Sequence, residues 1–142
     1  MGVMITSSAL TGKPYASLQL SQVPSQLLLS ANGYIVFIFS EEKLATCLIQ
    51  VRELSGMLVS SCEVNGYATC ATIAQFQDSV EFLIVCIERK LSVLRLCDLQ
   101  IVSISELNSR AKSVAFNTKN MSAFAVLTNG ECLHFEFIFK LL

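Results

Sequence analysis

Tryptophan is absent from this 142-residue sequence, histidine occurs once, proline occurs twice, and charged residues make up only 15 % of the chain. A single histidine excludes metal sites or catalytic centres that are built on two or more imidazoles. Ten basic residues nearly balance eleven acidic ones and form no basic stripe. This argues against nucleic-acid binding, because phosphate neutralisation dominates that affinity. Low charge combined with 53 % hydrophobic residues excludes a disordered chain.

Long hydrophobic runs are also missing. The longest clean ones, Tyr34–Phe39 and Phe82–Ile87, are far shorter than the ~18 residues that a membrane-spanning helix needs. The first residues lack the basic stretch and the long apolar core of a secretory signal, so none is predicted. Residues 1–6 match the minimal myristoylation pattern, and the sequence leaves open whether Gly2 is acylated.

Cysteine, in contrast, is well represented. The six cysteines are Cys47, Cys62, Cys70, Cys86, Cys97 and Cys132. They form no Cys-x-x-Cys pair, and most lie inside apolar runs, where free cysteine usually acts as a small buried hydrophobe. We therefore predict reduced, buried thiols and an intracellular, cytoplasmic protein.

The sequence repeats itself with a period of 43 residues. Three similar segments begin at Ser25, Ala68 and Ala111, and each is followed by a turn-like stretch and then by a strongly apolar run. Periods of about 40–45 residues are typical of β-propeller blades, each of which contains four strands. The period therefore predicts consecutive blades that begin at these three positions.

The apolar run of each repeat indicates a strand that is buried on both faces. A middle strand of a blade has such surroundings, because neighbouring blades stack on both of its sides. The predicted strands are Ser25–Ser30, Tyr34–Phe39, Leu44–Val51 and Met57–Val64 in the first repeat, Ala68–Gln75, Glu81–Ile87, Leu91–Cys97 and Ile101–Leu107 in the second, and Ala111–Asn117, Ser122–Thr128 and Glu131–Ile138 in the third. The third repeat lacks a fourth strand, so the third blade is predicted to be incomplete.

Local patterns add detail to these strands. Val102 and Ile104 alternate with serines, as expected of a half-exposed outer strand. Asn129-Gly130 lies between apolar runs and predicts a type I′ turn, which needs positive φ at both central residues. Upstream of the first repeat, Tyr15–Leu20 is predicted to be the last strand of a preceding blade.

The segment Glu41–Leu54 fits two structures. Its apolar residues have the spacing of an amphipathic helix, and Ser40 is a candidate N-cap. The repeat register makes the segment a strand instead, because the equivalent residues Leu91–Cys97 alternate better. We predict the strand.

Side chains with catalytic or metal-binding chemistry are few. On an alternating strand, Cys132, His134 and Glu136 share one face, but no second cluster of ligand types accompanies them. His134 and Asp98 are parts of a nucleophilic triad only if the fold brings them to a serine, and nothing in the sequence does so. We therefore predict no catalytic residue, no metal site and no cofactor, and interpret the β-face that carries His134 as structural.

Charged hairpin tips are the candidate site. Loops on a rigid scaffold carry function, so tips along one edge of a propeller are predicted to contact partner proteins. The candidate contact residues are Glu41, Glu42, Lys43, Glu88, Arg89, Lys90 and Asn129. The alternative reading of these residues is that they are solvated turns.

The order of three segments is similar to that of a known family. Residues 33–39 read Gly-Tyr-Ile-Val-Phe-Ile-Phe, residues 48–56 read Leu-Ile-Gln-Val-Arg-Glu-Leu-Ser-Gly, and residues 57–64 read Met-Leu-Val-Ser-Ser-Cys-Glu-Val. Together with Ala111–Asn117, they resemble the C-terminal WD40 repeats of neurobeachin-like BEACH-domain proteins. The resemblance spans roughly residues 25–138 and rests on order and spacing more than on identities.

The resemblance implies a propeller that docks proteins in vesicle trafficking and membrane-protein sorting. Its implied partners are other proteins, the remaining blades and the BEACH domain of a full-length chain, with peripheral membrane association only through that chain. The sequence departs from the WD40 pattern, because Trp-Asp and Gly-His are absent and Glu88-Arg89-Lys90 replaces the usual Asp-Gly tip of the second repeat. The Asp-His-Ser-Trp hydrogen-bond network of such repeats therefore cannot form.

These observations predict an all-β chain: a partial β-propeller of about three consecutive four-stranded antiparallel WD40-type blades. The predicted divisions are an N-terminal segment, residues 1–24, blades at 25–67 and 68–110, and an incomplete blade at 111–142. The predicted function is a non-catalytic interaction scaffold of the BEACH type. Two alternatives stay open: a WD40 segment of an unrelated signalling or ubiquitin-ligase scaffold, and a small β-domain that binds a ligand or is an enzyme.

Overall fold

The computed structural model describes residues 2–7, 14–76 and 80–137 of the chain, and every regular element in these ranges is a β-strand. In these described ranges, thirteen antiparallel strands form a hairpin and three sheets. The hairpin contains β1 (Gly2–Ser7) and β2 (Pro14–Leu20); sheet 1 contains β3 (Gln26–Leu29), β4 (Tyr34–Glu41), β5 (Thr46–Glu53) and β6 (Leu58–Asn65); sheet 2 contains β7 (Ala68–Gln75), β8 (Glu81–Ile87), β9 (Lys90–Arg95) and β10 (Ile101–Glu106); sheet 3 contains β11 (Ala111–Asn117), β12 (Ser122–Leu127) and β13 (Cys132–Glu136). The all-β, bladed fold class predicted from the sequence is confirmed.

The three sheets share one plan. Consecutive strands pair as simple hairpins, so each sheet has its strands in chain order from inside to outside. The first strand of each sheet packs beside its counterpart in the next, β3 near β7 and β7 alongside β11. The sheets therefore fan out from one line of inner strands, which is the arrangement of propeller blades.

Apolar cores fill the spaces between the sheets. In β8, Leu83 and Val85 face sheet 1, whereas Ile84 and Cys86 face sheet 3, and all four are fully buried. Burying each large aliphatic side chain stabilises the fold by about 1.5–3 kcal/mol. In β4, likewise, one set of residues packs against sheet 2 and the other against the β1–β2 hairpin. The double-sided burial predicted for these two apolar runs is confirmed.

Strand β12 differs from this prediction. Its Ala123, Ala125 and Leu127 are buried against sheet 2, but Phe124 and Val126 on the other face are exposed. No sheet among the described residues covers that face. The apolar run of the third repeat is therefore buried on one side only.

The segment 41–54 contains a strand, as predicted, and no helix. The strand begins at Thr46 and ends at Glu53, two residues later at each end than expected. Residues 42–45 form the turn instead, and Ala45 adopts a φ of +49° to complete it. Eight consecutive pairs between β4 and β5 then fix the register.

The type I′ prediction for Asn129-Gly130 is wrong. Gly130 has a φ of +93°, but the non-glycine residues with positive φ in the described ranges do not include Asn129. The amide of Gly130 donates to the carbonyl of Leu127, and the amide of Leu127 donates to that of Glu131. This is a type I turn closed by a left-handed glycine bulge, the usual form of a three-residue loop.

The outer strand β10 also departs from expectation. Ile101, Val102 and Ile104 are all exposed, so the alternation does not mark one buried face. The pairing with β9 slips by one residue between Ile101 and Ser103, which interrupts the alternation. The strand is the last of its sheet, and none of the described strands pairs with its outer edge.

Two further differences lie at the start of the chain and among the cysteines. Strand β1 was not predicted; it pairs with β2, and Leu18 and Leu20 of that strand pack against sheet 1. Cys47 and Cys86 are buried as expected, but Cys97 and Cys132 are exposed. All six thiols are free. The predicted turn residues 77–79 and the segment 138–142 lie outside the described residues.

Candidate partner-binding rim

The predicted contact residues all lie at one end of the three sheets. Alternate loops of an antiparallel sheet fall at opposite ends, so the β4–β5, β8–β9 and β12–β13 loops share an end with the connections from one sheet to the next. We call this end the tip rim. It contains Glu41, Glu42, Lys43, Glu88, Arg89, Lys90, Asn129 and the connecting residues 66–67 and 107–110.

The tip of sheet 2 has an unusual backbone. Ile87 pairs with Lys90, so the loop consists of Glu88 and Arg89 alone. Glu88 adopts a φ of +53°, a position that glycine normally occupies in two-residue loops. Such a conformation costs roughly 1–2 kcal/mol for a residue with a side chain. It persists only where the surroundings hold it.

Tyr67 supplies part of that support. The amide of Glu88 donates to the carbonyl of Tyr67 (2.9 Å), and the amide of Tyr67 donates to Glu88 Oε1 (2.9 Å). The tip of sheet 2 is thereby fixed to the connection between β6 and β7. Gly66, beside Tyr67, donates its amide to the carbonyl of Ala45 and fixes the tip of sheet 1 to the same connection.

Arg110 joins the tips of sheets 1 and 2. Its Nε donates to Glu88 Oε2 (3.1 Å) and its Nη1 donates to Glu42 Oε1 (2.8 Å). The guanidinium carbon also lies 5.6 Å from the centre of the Tyr67 ring, within cation–π range. Because Arg110 stands in the connection to sheet 3, one side chain links all three sheets.

These contacts have an electrostatic signature. The Tyr67 amide and then the Arg110 guanidinium lower the pKa of Glu88. The carboxylates of Glu42 and Glu88 in turn raise the pKa of Arg110. The three side chains are 36–66 % exposed, so solvent screens both ion pairs and their contribution to stability is small. Their main effect is to fix the positions of the tips.

The tip of sheet 3 is held in a similar way. Asn108 Nδ2 donates to Glu131 Oε2 (3.2 Å), and Asn129 Nδ2 donates to Glu131 Oε1 (2.9 Å). The amide of Thr128 donates to the carbonyl of Arg110 (2.8 Å). The predicted contact residue Asn129 therefore belongs to the same hydrogen-bonded rim as Glu42 and Glu88.

The remaining predicted residues project from this rim. Glu41, Lys43, Arg89 and Lys90 are exposed, and the ion pairs found among the described residues do not include them. Glu42 and Glu88, in contrast, are the anchors of Arg110. The rim thus contains a fixed inner set of charges and an outer set that faces solvent.

Sequence reasoning missed Tyr67, Arg110 and Glu131. The 43-residue period contains the signal that could have identified them: Tyr67 and Arg110 are one period apart, and so are Glu88 and Glu131. Tyr67 and Arg110 each stand immediately before an inner strand, and both contact Glu88, Tyr67 through its amide and Arg110 through its guanidinium. Their chemistries differ, so residue identity alone did not reveal the equivalence.

The opposite rim contains a groove between sheets 1 and 2, with a volume of about 340 Å³ and Tyr34, Val51, Val59, Val80 and Leu96 among its lining residues. Glu81, which also lines it, is 6 % exposed. Its carboxylate accepts hydrogen bonds from the Ser30 hydroxyl (2.8 Å) and the Ala31 amide (3.1 Å). Glu81 thus ties sheet 2 to sheet 1 at this end.

The structure does not assemble the catalytic or metal combinations considered from the sequence. His134 is stacked on Phe124, with ring centres 4.7 Å apart, and Asp98 instead accepts hydrogen bonds from Arg95. Within residues 2–7, 14–76 and 80–137, no group of three or more His, Cys, Asp or Glu side chains could hold a metal ion. The same ranges contain no helix long and apolar enough to cross a membrane.

Comparison with known proteins identifies the fold. No protein-family profile and no curated protein sequence matches the chain. Among solved structures, it is similar to BBS1N in complex with ARL6DN (TM-score 0.73, 14 % identity, 87 % of this chain and 40 % of that chain). It is also similar to the C-terminal WD40 domain of Sif2 (TM-score 0.64, 13 % identity, 85 % of this chain and 36 % of that chain). The chain thus spans about two fifths of these relatives and has the fold of part of a WD40-type β-propeller.

Proposed function

We propose that this chain is a non-catalytic protein-interaction scaffold and that partners bind its tip rim. The observation that carries the proposal is Arg110, which holds the tips of two sheets from the connection to the third. A rim fixed in this way loses little conformational freedom on binding, and such preorganisation favours affinity. The exposed charges of Lys43, Arg89 and Lys90 stand on this fixed base.

The chemistry of the rim supports docking rather than catalysis. Its inner groups are two carboxylates paired with one guanidinium, and amides bound to a third carboxylate. A nucleophile with an adjacent base, the minimum for covalent catalysis, is a different arrangement. A solved relative, BBS1N, forms a complex with ARL6DN, which supports proteins as the class of partner.

The finer assignment is a role in vesicle trafficking and membrane-protein sorting within a BEACH-family protein. It is supported by the order of residues 33–64 and 111–117. In this proposal the chain is cytoplasmic and reaches endomembranes peripherally, through the remaining blades and the BEACH domain of the full-length product. A BEACH domain directly upstream in the full-length sequence would support the assignment, and an F-box or a kinase-like domain there would replace it with a different scaffold.

Site-specific photo-crosslinking in cells tests the proposed surface. A photoreactive residue is placed at Arg89 or Lys43 on the tip rim, or at the exposed Lys119 in the β11–β12 loop of the opposite rim, in the full-length product. We expect several-fold more crosslinked protein from the two rim positions, because they face the partner. Equal yields at all three positions, or crosslinks from Lys119 alone, would contradict the proposal.

A further inference from the structure

Two cysteines of sheet 2 stand directly opposite each other. The register of β7 and β8 pairs Cys70 with Cys86. Directly opposed residues of antiparallel strands have Cα atoms about 4.5–5.5 Å apart, and disulfides span about 4.4–6.8 Å between Cα atoms. The register therefore places both sulfurs within reach of a covalent bond.

The two thiols differ in access. Cys86 is fully buried between sheets 2 and 3, whereas Cys70 is half-buried on the inner strand, where its thiol donates to the carbonyl oxygen of Ala111 (3.8 Å). A reagent from solvent consequently meets Cys70 first. Cys86 lies behind it as the second thiol of the pair.

The two thiols of the pair differ in their pKa. The contact with the Cys86 thiol, acting as hydrogen-bond donor, lowers the pKa of Cys70, and burial opposes this shift. The Thr69 hydroxyl lies 3.8 Å from the Cys70 sulfur and 3.3 Å from the carbonyl oxygen of Cys86, which is its shorter contact. The same contact with Cys70, followed by burial, raises the pKa of Cys86. The accessible member of the pair is thus the better nucleophile, as in redox-sensing cysteines that stand beside a resolving thiol.

We propose that Cys70 and Cys86 form an oxidative modification site, at which the Cys70 sulfur attacks a peroxide and the product is a Cys70–Cys86 disulfide. In the first step the Cys70 thiolate displaces hydroxide from hydrogen peroxide and becomes a sulfenic acid. In the second step the Cys86 sulfur displaces the sulfenic oxygen, which leaves as water with the Cys86 proton. In total two thiols lose two electrons and two protons, and one peroxide becomes two waters.

The chain contains its own control pair. Cys47 is opposite Val64, and Cys62 is opposite Ile49, so these two cysteines are diagonal neighbours. Diagonal positions lie about 7–8 Å apart, which is beyond the span of a disulfide without backbone movement. Burial also raises the pKa of Cys47 to about 11, and burial raises that of Cys62. The control pair therefore lacks both the Cα spacing that a disulfide needs and a readily formed thiolate.

Peptide mapping after oxidation separates the two pairs. A Cys97→Ser, Cys132→Ser double variant removes the exposed thiols and leaves the four sheet cysteines in place. The protein is treated with hydrogen peroxide, alkylated, and cleaved after glutamate, which puts Cys47, Cys62, Cys70 and Cys86 on residues 43–53, 54–63, 64–81 and 82–88. Mass spectrometry then shows which peptides are joined.

We expect peptides 64–81 and 82–88 to be joined, with a rate at least about tenfold above that of any link between 43–53 and 54–63. Joining of 43–53 to 54–63 at a similar rate would overturn the proposal. Full alkylation of all four peptides, or over-oxidation of Cys70 with Cys86 still alkylated, would overturn it as well.

A second variant tests the order of the steps. In the same background, Cys86→Ala removes the resolving thiol, so Cys70 is expected to stop at the sulfenic acid and to be trapped by dimedone. The unsubstituted pair should give little dimedone adduct, because Cys86 consumes the sulfenic acid. Dimedone labelling of the pair equal to that of the variant would show that Cys86 does not take part.

Discussion

Arg110 acts as a clamp on the tip rim, and its contribution to positioning is separable from its contribution to stability. Its contacts with Glu42 and Glu88 are partly exposed, and exposed ion pairs are weak because water and salt screen them. Its planar fork of donors nevertheless fixes two carboxylates in a defined geometry, which the flexible ammonium of a lysine does not reproduce. The residue is therefore expected to matter for the shape of the rim more than for the free energy of unfolding.

Replacing Arg110 separates these effects. Arg110→Gln is expected to leave the free energy of unfolding, measured by urea denaturation, nearly unchanged, because solvent screens both ion pairs. The same change should reduce crosslinking from Arg89 several-fold, and Arg110→Lys should restore it only in part because the fork is lost. A stability loss above about 3 kcal/mol would instead indicate a buried, structural ion pair.

Glu88 gives the rim a pH dependence. The Tyr67 amide and Arg110 favour the ionised carboxylate, so the pKa in the folded chain lies below the ordinary value of 4.5. A lowered pKa stabilises the fold above the unfolded-state pKa, and this stabilisation is lost as pH falls through the folded-state pKa. Glu88→Gln should therefore lose less stability than the wild type between about pH 5 and about pH 3, as measured by denaturation at each pH. Parallel losses in the two proteins would show that Glu88 is not held by these contacts.

At the scale of elements, connections decide how the strands reach the rim. Gly66 has a φ of +121°, and a Cβ at this position would lie 2.7 Å from Ile87 Cγ2. Gly33, in a turn at the opposite end of sheet 1, also has a positive φ, but a Cβ there meets nothing within 4 Å. Both glycines thus need a positive φ, but only at Gly66 would an added side chain collide with neighbouring atoms.

Alanine at each glycine measures the difference. Gly33→Ala should cost about 1 kcal/mol, since only the left-handed backbone resists the side chain. Gly66→Ala should cost about 2 kcal/mol more, because Ile87 and the tip must also move. Equal losses in thermal or urea unfolding would mean that the β6–β7 connection is not packed against the tip of sheet 2.

The sequence predicted most strands but not how they are joined. Repeat spacing predicted the bounds of β7, β8 and β11 to the residue, and burial on both faces of β8 gives that strand its continuous apolar pattern. The Asn129-Gly130 turn was misassigned because this dipeptide suits both the type I′ turn and the bulged type I turn, and strand register decides between them. The contacts of Arg110 were missed because its partners are distant in the sequence. Glu42 lies 68 positions before it and Glu88 lies 22 positions before it, and local patterns do not record such pairs.

The whole molecule leaves apolar surfaces open at both ends of its row of sheets. Val3 and Ile5 of the β1–β2 hairpin are exposed, as are Phe124 and Val126 of sheet 3. Outer strands β6 and β10 add Leu58, Ile101 and Val102. In a propeller such faces lie against neighbouring blades, so in this chain alone they favour association.

Self-association of the isolated chain is therefore expected. Sedimentation velocity should show a weight-average mass that rises with concentration, and Phe124→Lys should reduce the rise because a charge on that face opposes burial. As a control, Lys119→Glu changes an exposed loop residue and should leave the association unchanged. A monodisperse wild-type monomer that melts cooperatively would contradict the expectation.

The site and the proposed function both depend on one arrangement: the three sheets fan out with all of their tips at one rim. Spin labels introduced as non-canonical residues at Lys43, Arg89, Asn129 and Lys119 report it through pulsed-resonance distances. Lys119 lies at the far end of the six-residue β12, about 20 Å from its tip. We therefore predict that the 89–129 and 43–89 distances are shorter than the 89–119 distance by about 10 Å. An 89–119 distance equal to or shorter than the two tip-to-tip distances would contradict the account.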